Sequence, residues 1–353
     1  MPATALFRCD AGPAIGLGHL MRSLALAQAW RDAGGRAVFA CAGVAEGAER
    51  LRAEGMELRS IAAPAGSSQD AAATMSLAGE LHAEWLALDG YHFDEGFHRS
   101  LAAQAPLLLL DDHARLPSYH AHIVLNHNVY AAPGMYAGKV DGAELLLGLR
   151  YALLRREFRL PAELGAAPDI ATDIVVTMGG SDPQNVTGHV LAALQQVSAP
   201  WQRVTIVLGG GNVHADELRT ALAGINLPIR LLHDVQDMRS VLAGSQAAIS
   251  AGGGTCAELA RMGVPMLLGV IAENHAGTVE EFARQSMAVN VGWFQRLSSA
   301  ELARRVEEFL RDGPLRRQLA QKAQSQVDGR GAERVVAAML ARTPQPARGE
   351  AHA

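Results

Sequence analysis

The run Arg8-Cys9-Asp10-Ala11-Gly12-Pro13-Ala14-Ile15-Gly16-Leu17-Gly18-His19-Leu20-Met21-Arg22 passes from an apolar segment through a glycine turn into a helix-like segment. Gly16 and Gly18 let backbone approach a ligand closely and put His19 at a helix N-terminus. Free N–H groups and partial positive charge there favour an anion and the neutral form of an imidazole, so His19 is expected to be a general base. The alternative is a turn histidine that only caps a helix. A dinucleotide fingerprint is excluded, because Met21 stands where the third glycine belongs.

Two further glycine turns could carry binding chemistry. Met178-Gly179-Gly180-Ser181-Asp182-Pro183-Gln184-Asn185 offers small residues and a hydroxyl past which a phosphate or sugar could run, or else a tight turn with an Asp/Pro stop. In Ser250-Ala251-Gly252-Gly253-Gly254-Thr255-Cys256-Ala257-Glu258-Leu259, consecutive glycines cost entropy in any regular element and are expected to bare N–H groups to a diphosphate. Glu258, one turn into the following helix, could accept both hydroxyls of a ribose; the competing reading is a capping-box acid to Thr255. Asn274 and His275 open another helix, in position to reach a sugar.

Two other readings fit the sequence less well. Asp111, Asp112, His113, His120, His122 and His127 are metal-ligand types, but their spacing fits no closed zinc motif, and strand-edge polar residues explain the same letters. No metal and no cofactor are expected. Ser118 and Ser181 lie in no nucleophile-elbow sequence, which disfavours a serine hydrolase.

These turns sit within an alternation of strands and helices. In the first half the strand candidates are Leu6–Cys9, Ala37–Ala42, Trp85–Asp89, Leu107–Asp111, Ile123–Asn126 and Leu145–Gly148, with helices at Leu20–Trp30, Ala45–Glu54, Ala71–His82 and Glu95–Gln104. Residues 159–172, with Pro161, Gly165 and Pro168, read as a linker between a unit at 1–158 and a second at 173–342. The second unit shows strands at Asp173–Met178, Val204–Leu208, Ile229–Leu232, Ala247–Ser250 and Met266–Gly269. Its helices are expected at Val186–Gln196, Asp216–Ala223, Thr255–Arg261, His275–Gln285, Ala300–Arg311, Leu315–Val327 and Ala332–Ala341. Residues 343–353 are expected to be a frayed tail. Several strands end in Asp, Asn or Gly, the carboxyl edge at which open α/β sheets bind ligands.

Composition narrows the partners. With 31 basic against 36 acidic residues in 353, no cationic excess attracts a nucleic-acid backbone. Lys139 and Lys322 are the only lysines, so nearly every cation is a guanidinium suited to forked contacts with phosphate or carboxylate. No apolar run reaches the length of a membrane span, and the first residues lack the cationic start of a signal peptide. Three cysteines, Cys9, Cys41 and Cys256, agree with a reducing, cytoplasmic setting. Composition leaves the oligomeric state open.

The motifs together resemble a known family. Arg8-x-Asp10, Ile15-Gly16-x-Gly18-His19-x-x-Arg22, Asp89-Gly90-Tyr91, Asp111-Asp112, Leu125-Asn126, Gly148-x-x-Tyr151-x-x-Leu154-Arg155-x-Glu157-Phe158, Met178-Gly179-Gly180-x-Asp182 and Ser250–Glu258 occur in the order seen in the UDP-sugar hydrolases of pseudaminic acid synthesis. The last segment is shared more widely with GT-B glycosyltransferases, including the peptidoglycan N-acetylglucosaminyltransferase. The resemblance implies an α/β, GT-B-like fold, two Rossmann-type domains facing across a cleft, with the nucleotide held mainly by the second. It implies the substrates UDP-2,4-diacetamido-2,4,6-trideoxy-β-L-altropyranose and water, with His19 as catalytic base. Asp10, Gly16, Gly18, Arg22, Tyr91, Arg155, Gly180, Gly252, Gly253, Gly254, Thr255, Glu258, Asn274 and His275 are the positions expected to hold the substrate. Two departures from the family pattern are Gly12, where serine is frequent, and His275, where glutamine often follows the asparagine. A GT-B transferase with a UDP-sugar donor, and a UDP-sugar sensor without turnover, are the competing functions.

Overall fold

A computed structural model describes residues 3–12, 15–42, 47–160, 168–225 and 227–342. Pro13, Ala14, the first residues of the helix expected from Ala45, half of the expected linker and the expected tail lie outside them.

Seven strands form the first sheet: β1 (Thr4–Cys9), β2 (Arg36–Cys41), β3 (Glu57–Ser60), β4 (Ala83–Asp89), β5 (Leu107–Leu110), β6 (Ile123–Asn126) and β7 (Glu144–Leu147). Six form the second: β8 (Asp173–Thr177), β9 (Arg203–Leu208), β10 (Ile229–His233), β11 (Ala247–Ala251), β12 (Met266–Val270) and β13 (Ala288–Trp293). All neighbours pair in parallel, in the orders β3-β2-β1-β4-β5-β6-β7 and β10-β9-β8-β11-β12-β13. In both sheets the strand order reverses between the first and fourth strands. Chain leaving those strands diverges to opposite sides and opens a crevice at their carboxyl ends. The crevices therefore fall beyond β1 and β4, and beyond β8 and β11.

The crossovers of the first sheet are α1 (Gly18–Asp32), α2 (Ala48–Ala53), α3 (Ser68–Glu80) and α4 (Glu95–Ala102). Those of the second are α5 (Val186–Leu194), α6 (Ala215–Leu222), α7 (Met238–Leu242), α8 (Thr255–Met262) and α9 (Glu273–Arg284), followed by α10 (Ser299–Arg311), α11 (Gly313–Gln326) and α12 (Gly331–Arg342). Cores of near-continuous Leu, Val, Ile and Ala strands, covered by helices, are what a parallel sheet requires.

Two connections differ from the expected division at 158/159 and 342. Ala332, Val335, Val336 and Met339 of α12 are buried with Leu24, Ala27 and Trp30 of α1, so the last helix packs on the first sheet's core and not the second's. Before the linker, Leu153 joins that same core, while Ala152, Leu154 and Phe158 are buried with Cys256, Leu259 and Met266 of the second. An extended segment alternates its side chains, which lets one strap serve both cores. Guanidiniums fasten its end: Arg261 Nε donates to the Phe158 carbonyl (2.9 Å), and Arg159 Nη1 to Asp32 (2.6 Å).

Asp10, expected to touch substrate, is instead part of a buried brace. One of its oxygens accepts from Arg8 Nη1 (2.7 Å) and the Ala42 N–H (2.7 Å), while the other faces His92 Nε2 (2.9 Å). Arg8 also forks onto Asp70 at 3.0 and 2.6 Å and lies over the Phe93 ring. Burial alone would raise the Asp10 carboxyl; His92 and Arg8 overcome it and hold it at about 2. A depressed carboxyl contributes stability above its unfolded value near 3.9 and loses it as pH falls through about 2. Replacing Arg8 with methionine would take the guanidinium from two buried carboxylates. The expected result is a loss of about 3–5 kcal/mol in urea unfolding at pH 7; an unchanged midpoint would refute the brace.

Candidate active site

His19 is the second residue of α1 and is buried, with 6% of its surface exposed. The turn before it closes through Gly16 N–H to the Gly12 carbonyl (2.7 Å), and Gly16 adopts φ +77°, a conformation that a side chain would strain. From the end of β4, Asp89 brings an oxygen to 2.6 Å of His19 Nδ1. Arg22, one turn along α1, forks onto the same carboxylate through Nε and Nη2, both at 2.6 Å. Burial would raise the Asp89 carboxyl, but Arg22 and His19 reverse this and keep it below the ordinary range. Asp89 is thus an ionised acceptor.

That fixes the histidine tautomer. A carboxylate accepts only, so the proton between the two groups belongs to Nδ1. Arg22 Nη2 lies 3.0 Å from Nδ1, yet a guanidinium nitrogen cannot accept and a protonated Nδ1 cannot either; its hydrogen goes to Asp89. In the neutral ring this leaves the lone pair on Nε2. It has no hydrogen-bond partner among the described residues and is not among their sealed, unpartnered atoms. Water can reach it.

A second layer holds this arrangement. Arg22 Nη1 donates to Asp112 (2.7 Å), which also accepts from the Tyr91 hydroxyl (2.6 Å) and Asn128 Nδ2 (2.7 Å). Burial would raise the Asp112 carboxyl; Arg22 holds it far below the usual range. Tyr91 is 56% exposed and meets the His19 ring edge-on, with centroids 4.7 Å apart. Tyr91 is therefore open to a ligand, whereas Arg22, expected as a substrate contact, has its donors committed to Asp89 and Asp112. Asp89 and Asp112 belong to the quoted motifs without having been placed in the site. The Asp at a strand end was the available signal; its partner lies 70 residues away.

The suspected metal-ligand residues go to separate tasks. Asp111 accepts from Tyr136, Tyr119 and the Ala114 N–H; His122 Nδ1 accepts from the Leu107 N–H, and His127 Nδ1 from the Leu153 N–H. Among the described residues no three His, Cys, Asp or Glu side chains gather to hold a metal.

On the second sheet, Gly254 is the N-cap of α8 and has no side-chain cap, so Glu258 is not a capping-box partner of Thr255. Its Oε1 instead accepts from Arg155 Nη2 (3.1 Å). Arg155 Nη1 pairs with Glu157 (2.9 Å). Burial raises both the Glu258 and Glu157 carboxyls, against the pull of Arg155. The three glycines have different reasons. A Cβ on Gly252 would strike Val279 and the His275 carbonyl of α9, whereas Gly254 faces open space and Gly253 meets only His275 Nε2 at 3.8 Å. Among the described residues, no hydrogen bond is made by the N–H groups of Gly253, Gly254 or Thr255. Gly252 is thus a packing glycine, and the next three positions carry the open donors. Asn274 is exposed on the first turn of α9; beside it, His275 has a buried Nδ1 without a partner.

In the Met178 turn, Asp182 accepts from the Val186 and Thr187 N–H groups (2.8 and 2.9 Å), satisfying the first donors of α5 beside its N-cap Asn185. The Gly180 carbonyl accepts from the Gly211 N–H (3.1 Å), and Gly180 is otherwise exposed. The site residues therefore form one group on each sheet, and no hydrogen bond joins the His19 group to the Glu258 group among the described residues. Residues 128–130 link them: Asn128 holds Asp112, and the Tyr130 ring lies against Gly277 of α9.

Residues 174–335 match the glycosyltransferase family 28 C-terminal domain. The chain is 28% identical over 191 residues to the spore coat polysaccharide biosynthesis protein SpsG of Bacillus subtilis, a match covering 54% of this chain and about half (56%) of that protein. It is 27% identical over 240 residues to the UDP-2,4-diacetamido-2,4,6-trideoxy-beta-L-altropyranose hydrolase of Campylobacter jejuni, covering 67% of this chain and 80% of that protein. The latter match bears out the resemblance drawn from the motifs. Among solved structures, MurG of Acinetobacter baumannii superposes with a TM-score of 0.65 at 16% identity, over 96% of this chain and all of that one. The chain has the GT-B fold, and its residues 174–335 match the glycosyltransferase family 28 C-terminal domain.

Proposed function

We propose that the protein hydrolyses a UDP-sugar, UDP-2,4-diacetamido-2,4,6-trideoxy-β-L-altropyranose, to UDP and 2,4-diacetamido-2,4,6-trideoxy-L-altrose, a step of pseudaminic acid synthesis. The observation that carries this reading is the His19–Asp89 pair, in which Nδ1 is held by the carboxylate and Nε2 is left without a protein partner among the described residues. Nε2 takes a proton from water as the oxygen attacks the anomeric carbon opposite the UDP leaving group, so configuration inverts. Glu258 accepts the ribose hydroxyls, and Arg155, released from it, turns to the diphosphate together with the N–H groups of Gly253, Gly254 and Thr255. Charge on the leaving group is met without a metal or cofactor. The setting proposed is the cytoplasm, with neither nucleic acid nor membrane as partner; no helix among the described residues is long and apolar enough to cross a membrane.

Replacing Glu258 with alanine is expected to weaken UDP binding by about 1.5–3 kcal/mol, the scale of a hydrogen bond to a charged acceptor. Calorimetric titration reads this directly, and unaltered affinity would remove Glu258 from the nucleotide site.

The family 28 match favours a transferase as the second reading. One experiment separates the two. Protein is incubated with a panel of UDP-sugars, including the diacetamido-trideoxy-altrose donor, in heavy-oxygen water with EDTA. Free, inverted sugar carrying the label supports the hydrolase. UDP release that requires an added acceptor would establish a transferase, label in UDP would mean attack at phosphorus, and loss of activity with EDTA would require a metal.

A further inference from the structure

Arg50 lies on α2 of the first half, 105 residues before Arg155 in sequence and outside every motif considered above. Its guanidinium nevertheless reaches the second half. Nη1 donates to the Gln236 side-chain oxygen and to the Gln236 carbonyl at 3.3 Å, and Nη2 points to that carbonyl at 3.4 Å. Arg155 Nη1 approaches the same carbonyl at 3.5 Å. Two guanidiniums, one from α2 and one from the strap, thus converge on one neutral oxygen of the second half.

This arrangement is incomplete as it stands. Arg50 Nε is buried and has no partner, although its side chain is only 13% exposed and Nη2 reaches Glu54 at 3.3 Å. A buried N–H without an acceptor costs stability unless something supplies the acceptor. Arg155 is meanwhile shared between Glu157 and Glu258, two carboxylates that burial disfavours in their charged form. Guanidiniums that crowd one carbonyl repel each other, and a multivalent anion with several acceptor oxygens would relieve the repulsion and, once Arg50 turns toward it, give Nε an acceptor.

On the UDP-sugar reading above, we propose that Arg50 is the first half's own anion-binding residue: with Arg155 it clamps the diphosphate of a nucleoside diphosphate from the opposite wall of the cleft. Gln236 holds Arg50 in place until the anion arrives. The contact is made to phosphate and not to the nucleoside, which gives the proposal its test.

Wild-type protein, Arg50→Gln and Arg50→Lys are titrated calorimetrically with UDP and with uridine, and their melting temperatures are compared. Arg50→Gln is expected to weaken UDP binding by about ten- to hundredfold and to leave uridine binding unchanged, so that the preference for UDP over uridine falls by the same factor. Arg50→Lys, which keeps the charge but loses the fork, should fall between the two. Equal weakening toward UDP and uridine would mean that Arg50 only orders the Gln236 loop, and unchanged UDP affinity would mean that Gln236 is its sole partner; either overturns the clamp. A wild-type protein that binds neither UDP nor uridine would sink the UDP-sugar reading and the clamp with it. A wild-type preference for UDP that survives in Arg50→Gln would sink the clamp alone.

Discussion

His19→Ala is expected to lower kcat by about 10²–10⁴-fold while leaving UDP affinity close to that of the wild type. The magnitude is that of losing a positioned general base. The split between rate and binding follows from the fold: His19 stands beyond β1 of one sheet, and Glu258 and the open N–H groups of α8 stand beyond β11 of the other. The variant should also fold. Without the imidazole, Asp89 keeps both donors of Arg22 and the Ser23 hydroxyl, so no buried carboxylate is stranded. Steady-state kinetics beside a UDP titration and a melting curve check all three statements. Wild-type turnover in His19→Ala would remove the histidine from the chemistry.

The residues that place His19 and Glu258 were legible because topology concentrates function at particular strand ends. His19 follows β1, Gly180 follows β8 and Gly252–Thr255 follows β11, and each of these strands is an apolar run broken by glycine. Polar groups that end such runs must lie at the sheet's edge, so the letters report the place. Edge elements were harder. In β3, Glu57 and Leu58 are partly exposed, Arg59 and Ser60 are exposed, and charges stand at Glu57 and Arg59, leaving no apolar run to find. Helix α12 was recognised as a helix but assigned to the wrong sheet, because an apolar stripe says that a helix packs and not on what.

Partners were less legible than positions. The family resemblance puts Asp10, Arg22 and Arg155 among the groups facing a ligand. In the structure Asp10 is consumed by Arg8, His92 and the Ala42 N–H, and Arg22 by Asp89 and Asp112. A charge in a crevice and a charge in a brace are written with the same letter. Only the long-range pairs distinguish them, Arg8 with Asp70 across 62 residues and Arg22 with Asp112 across 90. Gly252 shows the same limit: it was read for its bare N–H, yet the space it leaves is filled by the start of α9.

Asp89→Asn is expected to lower kcat nearly as far as removing His19, again by about 10²–10⁴-fold, although the asparagine touches no substrate. The reason lies in donor and acceptor counts. Asp89 now accepts from Arg22 Nε on one oxygen and from His19 Nδ1 and Arg22 Nη2 on the other. Asparagine replaces one acceptor with an NH₂ group, which must face either Arg22 or His19. Arg22 has no lone pair to offer, whereas an imidazole can become an acceptor by moving its proton from Nδ1 to Nε2. The amide therefore turns its NH₂ toward His19 and its oxygen toward Arg22 Nε. The proton then sits on the nitrogen that should take one from water. Nitrogen-15 NMR of histidine-labelled protein, with His19 assigned by the spectrum of His19→Ala, should show an Nδ1–H tautomer in the wild type and an Nε2–H tautomer in Asp89→Asn. UDP affinity should not change, since Glu258 and the α8 N-terminus are untouched. A positioning role predicts the tautomer and the rate to change together; an Asp89→Asn protein that turned over normally, or a wild-type His19 protonated on Nε2, would leave the His19–Asp89 pair without its assigned function.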